Sequence, residues 1–380
     1  MGSNGPIAIA VEEETRGDPV PAENVLSSAC QPGSGSAAFR GIGCGAGEGT
    51  GGETTLDRML DGWLVSSAAR HKRSTHAVYE TVVNRHIRPH LGNCPLTDLT
   101  PERVSVFLRE KAAGSEAERP LAPSTLCGII TVLRSVLQYA ESQGHSVCAW
   151  AGLTRPRAVV RPVCVLTGNE QERLTSFLLR SGTAERLGVL LCLYTGLRLG
   201  EICALKWGDI SADNQLLTVR RTVQRIRNPS GETDGHKTSM IFDTPKSQSA
   251  LRSIPLPSFL LPYLERQRRE ADCFVLTGTE KLLEPRTLQS RFKAILLQAG
   301  VRDVNFHCLR HTFATHCVEL GFDPKTLSVI LGHADVSVTL NTYVHPSTSR
   351  IRSCMELLGP DRASGSSRET GGRGAASQIL

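Results

Sequence analysis

The stretch FHCLRHTFATH, at residues 306–316, concentrates imidazole and guanidinium groups in eleven positions: His307, Arg310, His311 and His316. His307 and His311 have the i, i+4 spacing of a helical zinc pair, but the zinc-protease pattern needs a Glu directly after the first His. Cys308 stands there instead, and a fixed cation beside a cation site is unfavourable. Two other interpretations stay open at this point: an anion site and a helix whose histidines only pack.

An anion site is favoured by the start of this helix. Asn305 is a suitable N-cap, which places His307 and Arg310 in the first turn, where free backbone N–H groups attract negative groups. A helical wheel predicts a buried stripe away from His307 and His311, with Arg310 on its flank and His316 on its buried side. We assign His311 and His316 to structure, His316 because it falls on the buried side of the wheel. The predicted stripe is Leu309, Phe313, Cys317 and Leu320.

Four further residues stand where a side chain could be placed for chemistry. Arg198 directly follows a Gly break that ends an apolar run, and Lys246 lies in the turn-rich stretch TPKSQS, which predicts a hairpin tip. His333 follows the helix-ending Gly332, and Tyr343 comes ten residues later. Three of them have an ordinary alternative: Arg198 pairs with Glu201 on the surface, Lys246 is a solvated loop residue, and Tyr343 is a packing residue.

Composition agrees with a polyanionic partner. The chain of 380 residues has a formal charge of +6, and Arg outnumbers Lys. Residues 1–52 hold two Arg against six Asp or Glu, so residues 53–380 carry +10. The 12 Cys are scattered without a CxxC pair, which is typical of a reduced, cytoplasmic protein. The N-terminus lacks a secretory signal pattern, and no apolar run approaches the roughly 18 residues of a membrane span.

The elements that must position these residues fall into two predicted domains. Residues 1–52 are a Gly-rich arm predicted to be disordered. Residues 54–150 show four helical patterns, with Ser74 and Thr100 as predicted N-caps, one helix ending before Pro89 and another ending at Gly144. An Arg-rich linker at 151–162 follows, and residues 163–352 mix helices with alternating strands. Residues 353–380 contain the end of a tail helix and a C-terminus predicted to be disordered. The fold class is mainly α with a small antiparallel β-sheet.

The ordered set Arg198, Lys246, His307, Arg310, His333 and Tyr343 resembles the six-residue pattern of the tyrosine recombinase, or phage integrase, family. The surrounding segments TGLRLGE, HCLRHTFAT and LGHADVSVTLNTYVH, and the predicted hairpin Lys before LRSIPLP, are similar to that family's motifs. The resemblance covers about residues 54–352 and is strongest over 163–352. Cys308 and the Gly-rich arm depart from the family pattern.

The resemblance implies a SAM-like core-binding domain followed by a catalytic domain, closing on double-stranded DNA. It implies that Tyr343 is the nucleophile, that Arg198 and Arg310 hold the phosphate, and that Lys246 protonates the leaving 5′-oxygen. His307 would assist proton transfer at the tyrosine, His333 would donate to the phosphate, and Glu201 would support Arg198. No cofactor or metal is then needed. A homotetramer on two DNA sites is implied, with an accessory excision factor as a candidate partner and the nucleoid as the location.

Two other functions are compatible with the same residues. A type IB topoisomerase-like enzyme would relax DNA without exchanging partners. A catalytically silent DNA-binding factor would keep the fold without the reaction, although all six positions of the pattern are present.

Overall fold

The computed structural model of this chain describes residues 54–115, 118–148, 156, 163–180, 182–228, 238–243, 251–344, 352 and 355. Contacts divide the chain into two compact units, Met1–Val160 and Arg161–Leu380. The predicted arm at 1–52, nearly all of the linker at 151–162 and nearly all of the tail at 353–380 lie outside the described residues. Those three predictions therefore stay predictions.

The first unit is helical. Its helices are α1 (Leu56–Arg70), α2 (Arg73–Val82), α3 (Arg88–Leu91), α4 (Pro101–Ala113) and α5 (Pro123–Ser142), with a π-helical turn at Val83–Ile87 joining α2 to α3. α5 carries the largest apolar face of the unit, and Ile129, Ile130, Leu133 and Val136 on it are fully buried against α1, α2 and α4. The amphipathic pattern of each helix thus supplies one shared core.

Two predicted boundaries in this unit are correct and two are wrong. Thr100 caps α4 by accepting a hydrogen bond from Arg103 N at 3.3 Å, and Gly144 has a φ of 85° just after α5. Ser74, however, lies inside α2, which begins at Arg73. The helical path also continues past Pro89 to Leu91, because the widened π turn precedes the proline and accommodates its missing N–H.

The second unit surrounds a buried central helix, α7 (Ala184–Thr195), which packs against four neighbours. The helices of this unit besides α7 are α6 (Gly168–Leu179), α8 (Leu199–Cys203), α9 (Leu261–Gln267), α10 (Pro285–Gln298), α11 (His307–Glu319), α12 (Pro324–Leu331) and α13 (Val336–Tyr343). α11 contacts α7, α12 and α13. Side chains on α11 can therefore reach the ends of all three.

Two small antiparallel sheets complete this unit and confirm the predicted fold class. The strands are β1 (Ile210–Ser211), β2 (Leu216–Val219), β3 (Thr222–Arg227), β4 (Thr238–Asp243) and β5 (Arg252–Pro255). One sheet has the order β1-β2-β5, and the other pairs β3 with β4. β4 and β5 lie in different sheets, and the segment between them, on which the predicted hairpin tip falls, lies outside the described residues. Lys246 itself lies outside the described residues.

The wheel of α11 is partly corrected. Leu309 and Cys317 are buried as predicted, but Leu320 is 64% exposed at the helix end. His316 is exposed, since it points to the solvent side near Glu319. Arg310, predicted on the flank of the buried stripe, is only 2% exposed and is itself buried. A guanidinium buried to this extent needs hydrogen-bond acceptors, and these define the candidate site.

Candidate active site

Three arginines converge on the C-terminal end of α12. Arg252 Nε donates to Ile330 O at 2.6 Å, Arg310 Nη2 donates to Leu331 O at 2.8 Å, and Arg198 Nη2 donates to Gly332 O at 3.1 Å. Consecutive carbonyl groups at a helix end lack intrahelical partners and carry partial negative charge. One helix terminus thereby holds three cations that come from distant parts of the sequence.

Gly332 makes this convergence possible. Its φ of 65° lies in the left-handed region, and it ends α12. A Cβ atom there would lie 2.9 Å from Arg252 Nη1 and 3.1 Å from Arg252 Cδ. Glycine therefore serves both the turn and the close approach of the guanidinium.

Arg310 is fixed from two helix ends. Besides Leu331 O, its Nη1 donates to Gly196 O at 2.7 Å, just past the end of α7. Burial lowers its pKa to about 9, with the charge of Arg198 acting in the same direction and that of Glu201 opposing it. Arg310 thus stays protonated at neutral pH.

Glu201 joins two of the arginines. Its carboxylate accepts from Arg198 Nη1 at 2.8 Å and from the Arg198 backbone N at 2.9 Å. Arg252 binds the same carboxylate in a two-pronged manner, Nη1 to Oε1 at 3.0 Å and Nη2 to Oε2 at 2.9 Å. Although burial alone would raise the pKa of Glu201, the hydrogen bonds and charges of Arg252, followed by Arg198, lower it to about 2. Glu201 is therefore ionised, and its hydrogen bonds orient the side chain of Arg198.

His333 has a defined tautomer. Its Nε2 lies 2.9 Å from Arg310 Nη2 and its Nδ1 lies 2.8 Å from Thr339 Oγ1. Since a guanidinium can only donate, Nε2 must accept, and the ring proton must be on Nδ1, facing the buried Thr339. Burial, with the charges of Arg310 and Arg198, lowers the pKa of His333 to about 3. His333 is neutral in this state.

Tyr343 ends α13 and reaches α11. Only 8% of it is exposed, and its hydroxyl lies 2.8 Å from His311 Nδ1. Burial raises the phenol pKa, whereas Arg310 and Arg198 lower it. The two arginines are thus close enough to act on this phenol, which places Tyr343 in the same site as the arginines.

His307 completes the group from the first turn of α11. Asn305 Oδ1 accepts from Cys308 N at 3.0 Å, so the predicted capping role of Asn305 is confirmed. The His307 ring stands edge-on to His311 with centroids 4.5 Å apart. Partial burial, then the neighbouring His311 and Arg310, lower the pKa of His307 to about 4, even though the residue is exposed to solvent. His307 is consequently a neutral imidazole at the mouth of the site.

The structure brings together five of the six residues of the sequence pattern, whereas Lys246 is outside the described residues. Two contributors were missed. Arg252, the first residue of β5, lies in the motif LRSIPLP but was given no role, and His311 was assigned to structure alone. No group of three or more metal-ligating side chains occurs in the described part of the chain. Within the same residues, no helix is long and apolar enough to cross a membrane.

Comparison with known proteins gives the family. Residues 164–350 match the sequence model of the phage integrase family, and residues 55–111 match that of the phage integrase N-terminal SAM-like domain. The chain belongs to the phage integrase family. It is therefore a tyrosine recombinase of the site-specific type, and the predicted family and fold are confirmed.

Relatives of this integrase include a tyrosine recombinase and a prophage integrase. A tyrosine recombinase XerC-like protein of Caldanaerobacter subterraneus subsp. tengcongensis is 26% identical over 331 residues, covering 80% of this chain and 83% of that protein. The putative prophage phiRv2 integrase of Mycobacterium tuberculosis is 27% identical over 311 residues, covering 78% of this chain and 76% of that protein.

Solved structures share the fold. The Tn1549 transposon integrase in complex with transposon right end DNA has a TM-score of 0.65 at 21% identity, over 80% of this chain and 99% of that chain. A lambda integrase tetramer bound to a Holliday junction has a TM-score of 0.55 at 21% identity, over 78% of this chain and 80% of that chain. At these identities the likeness concerns the fold.

Proposed function

We propose that this integrase cuts and rejoins double-stranded DNA at a specific site through a 3′-phosphotyrosyl bond on Tyr343. The observation that carries the proposal is the convergence of Arg198, Arg310, His333 and Tyr343 in one pocket of one subunit. Two guanidiniums, fixed by backbone carbonyls and by Glu201, present permanent positive charge where a phosphodiester would gain charge on attack. Preorganised charge of this kind costs no reorganisation during the reaction.

In the proposed reaction, Tyr343 Oη attacks the scissile phosphorus, the P–O5′ bond breaks, and the 5′-oxygen leaves with a proton. Lys246 is the proposed donor of that proton, by resemblance to the family, and His307 assists proton transfer at the tyrosine. A free 5′-hydroxyl of a partner strand later reverses the step. The ester keeps the bond energy, so the residues named here need neither ATP nor a metal for the chemistry.

His333 requires a change before it can donate to the phosphate. Its Nε2 accepts from Arg310 in the DNA-free arrangement, so donation needs a second proton on the ring or the other tautomer. A bound phosphate anion would offset the arginine charges that hold the pKa of His333 low. DNA binding is thus expected to raise the pKa of His333 and switch Nε2 from acceptor to donor.

The proposed assembly is a homotetramer on two DNA sites, with one helical unit and one catalytic unit of each subunit on the duplex. Family relatives in complex with DNA, including the lambda integrase tetramer on a Holliday junction, support this proposal. An accessory excision factor remains a candidate partner. The proposed place of action is the nucleoid of the cell that carries the gene.

The test is covalent capture. Random-sequence duplexes are first selected by binding to the wild-type protein, and the recovered duplex is labelled and incubated with the full chain. Wild-type protein is expected to form a denaturant-resistant adduct, and Tyr343→Phe to form none while binding the duplex with unchanged affinity. Adducts at the wild-type level in Tyr343→Phe would refute the assignment. DNA relaxation without strand exchange in a two-site substrate would instead favour the topoisomerase-like alternative.

A further inference from the structure

His311 is the side chain in direct contact with the nucleophile. Its Nδ1 lies 2.8 Å from Tyr343 Oη, and the ring centroids are 5.6 Å apart. His307, which the family pattern associates with proton transfer at the tyrosine, contacts the edge of His311 instead. The order in space is therefore Tyr343, His311, His307, with the last open to solvent.

We propose that His311, rather than His307, receives the phenolic proton when Tyr343 attacks DNA, with His307 placed to hold the His311 ring in position. The inference rests on the proposed function. In the step, the Tyr343 O–H bond breaks, its proton goes to Nδ1 of His311, and the oxygen forms the new bond to phosphorus. The P–O5′ bond breaks at the same time, and the leaving oxygen takes a separate proton from the donor on its own side.

The neutral form of His311 that this step requires fits the surroundings. Nδ1 must carry a lone pair, so the ring must be neutral, with its single proton on Nε2. Partial burial and the charge of Arg310 lower the pKa of His311, so the neutral form prevails at neutral pH. The phenol also needs such an acceptor, because burial raises its own pKa.

The same contact also sets the geometry of Tyr343. α13 is only eight residues long and ends at this residue, so the side chain depends on its partners for orientation. The hydrogen bond to α11 joins the end of α13 to the helix that carries Arg310. A reacting oxygen held in this way is positioned beside the arginines before DNA arrives.

The experiment separates proton removal at the nucleophile from proton donation at the leaving group. The probe is the selected duplex, resynthesised with sulfur in place of the bridging 5′-oxygen at the mapped scissile phosphate. A thiolate leaves without a proton. Of the groups that transfer protons, only those that act on the tyrosine should therefore still affect the rate of adduct formation. Adduct formation is measured in single turnover for the wild type, His311→Ala, His311→Asn, His307→Ala and a matched control, His316→Ala, on the exposed side of the same helix.

We expect His311→Ala to form adduct about 10²-fold more slowly, with both the oxygen and the sulfur probe, at unchanged duplex affinity and unchanged thermal unfolding. His311→Asn keeps a polar atom near the position of Nδ1 but cannot take up a proton. It should remain slower than wild type by at least about tenfold. His316→Ala should match the wild type.

The rate should also fall on the acid side as His311 becomes protonated, below its ordinary pKa of 6.5, and this limb should be absent in His311→Asn. Among the described residues, the titratable and charged groups that face His311 are His307 and Arg310 on its own helix and Tyr343 on α13. The loss of this limb in His311→Asn, and its retention in His307→Ala, would assign it to His311 rather than to a neighbouring histidine.

Four results would overturn the proposal. Two of them are a wild-type rate of adduct formation in His311→Ala or in His311→Asn. The third is a full return of His311→Ala to the wild-type rate with the sulfur probe. The fourth is a larger loss of rate in His307→Ala than in His311→Ala with that probe. Failure of the proposed function looks different. In that case wild-type protein forms no adduct on any probe, or Tyr343→Phe forms it as well.

Discussion

Replacing Glu201 by Gln tests the arginine network most sharply. The amide has nearly the same shape as the carboxylate but carries no charge. Arg198 and Arg252, which both donate to the carboxylate, would then face each other across a neutral group that can accept fewer hydrogen bonds. The two guanidiniums would repel, and Arg252, which is 6% exposed, would lose its ionic partner in a buried place.

The magnitude follows from the pKa of Glu201. Its lowering from 4.5 to about 2 corresponds to roughly 3 kcal/mol of stabilisation of the ionised form in the folded state. Removing one member of a buried ion pair typically costs about 3–5 kcal/mol, because the remaining charge stays buried. The Arg198 side chain is 37% exposed and is partly screened by water. We therefore expect Glu201→Gln to lower the free energy of unfolding by about 3 kcal/mol at pH 7.

The loss should depend on pH. Because the folded-state pKa of Glu201 lies below its ordinary value, its stabilisation is complete above about pH 4.5 and disappears as the pH falls toward 2. The difference between wild type and Glu201→Gln should accordingly be constant from pH 7 to about 5 and shrink between about 4.5 and 2.

The assay is urea unfolding, followed at pH 7, 4 and 3. Asp272→Asn is the control, since Asp272 pairs with Lys206 but is 83% exposed, so its loss should change stability by less than about 0.5 kcal/mol. The double variant Glu201→Gln with Arg252→Met should be more stable than the sum of the two single losses predicts. Strict additivity, or a loss below about 1 kcal/mol in Glu201→Gln, would refute the network argument.

Three further predictions concern the site. Arg310→Lys should slow adduct formation by about 10²–10³-fold with little change in DNA affinity, because a single ammonium cannot bind two carbonyls and a phosphate at once. Arg291→Lys, at an exposed arginine, is the control. Equal rates of adduct formation in Arg310→Lys and the wild type would contradict this prediction. Gly332→Ala should destabilise the fold by about 1–2 kcal/mol more than Gly300→Ala. Both glycines have a φ near 65°, but of the two only Gly332 has a neighbour, Arg252, where the added methyl group would lie. Equal urea midpoints of the two variants would exclude a steric clash with Arg252. A chelator should leave adduct formation unchanged, and loss of adduct that added Zn²⁺ restores would revive the metal interpretation of FHCLRHTFATH.

Much of the fold could be predicted from local signals. Thr100 before Pro101, Gly196 and Gly332 mark helix ends because their chemistry is local, and the apolar spacing of α5 and α7 marks buried helices. The continuation through Pro89 could not be predicted in this way, since it depends on a π turn that the residue types do not specify.

The site residues were found from motif order, but their surroundings were not. Arg310 was placed on the flank of the buried stripe because a wheel shows only the angle of a residue around its own helix, whereas its acceptors are carbonyls at the ends of α7 and α12. Arg252 and His311 were missed for the same reason: their partners, Glu201 and Tyr343, are more than thirty residues away in the chain. Tertiary contacts of this kind leave no periodic trace in a sequence.

The central claim is that Tyr343 becomes covalently joined to a 3′-phosphate. The most direct measurement is mass spectrometry of the adduct after nuclease and protease digestion, which identifies the modified residue and the linked nucleotide end. We expect a nucleotide joined through its 3′-phosphate to the peptide that contains Tyr343. A nucleotide on Tyr194, Tyr263 or any other residue, or a 5′ linkage, would contradict it.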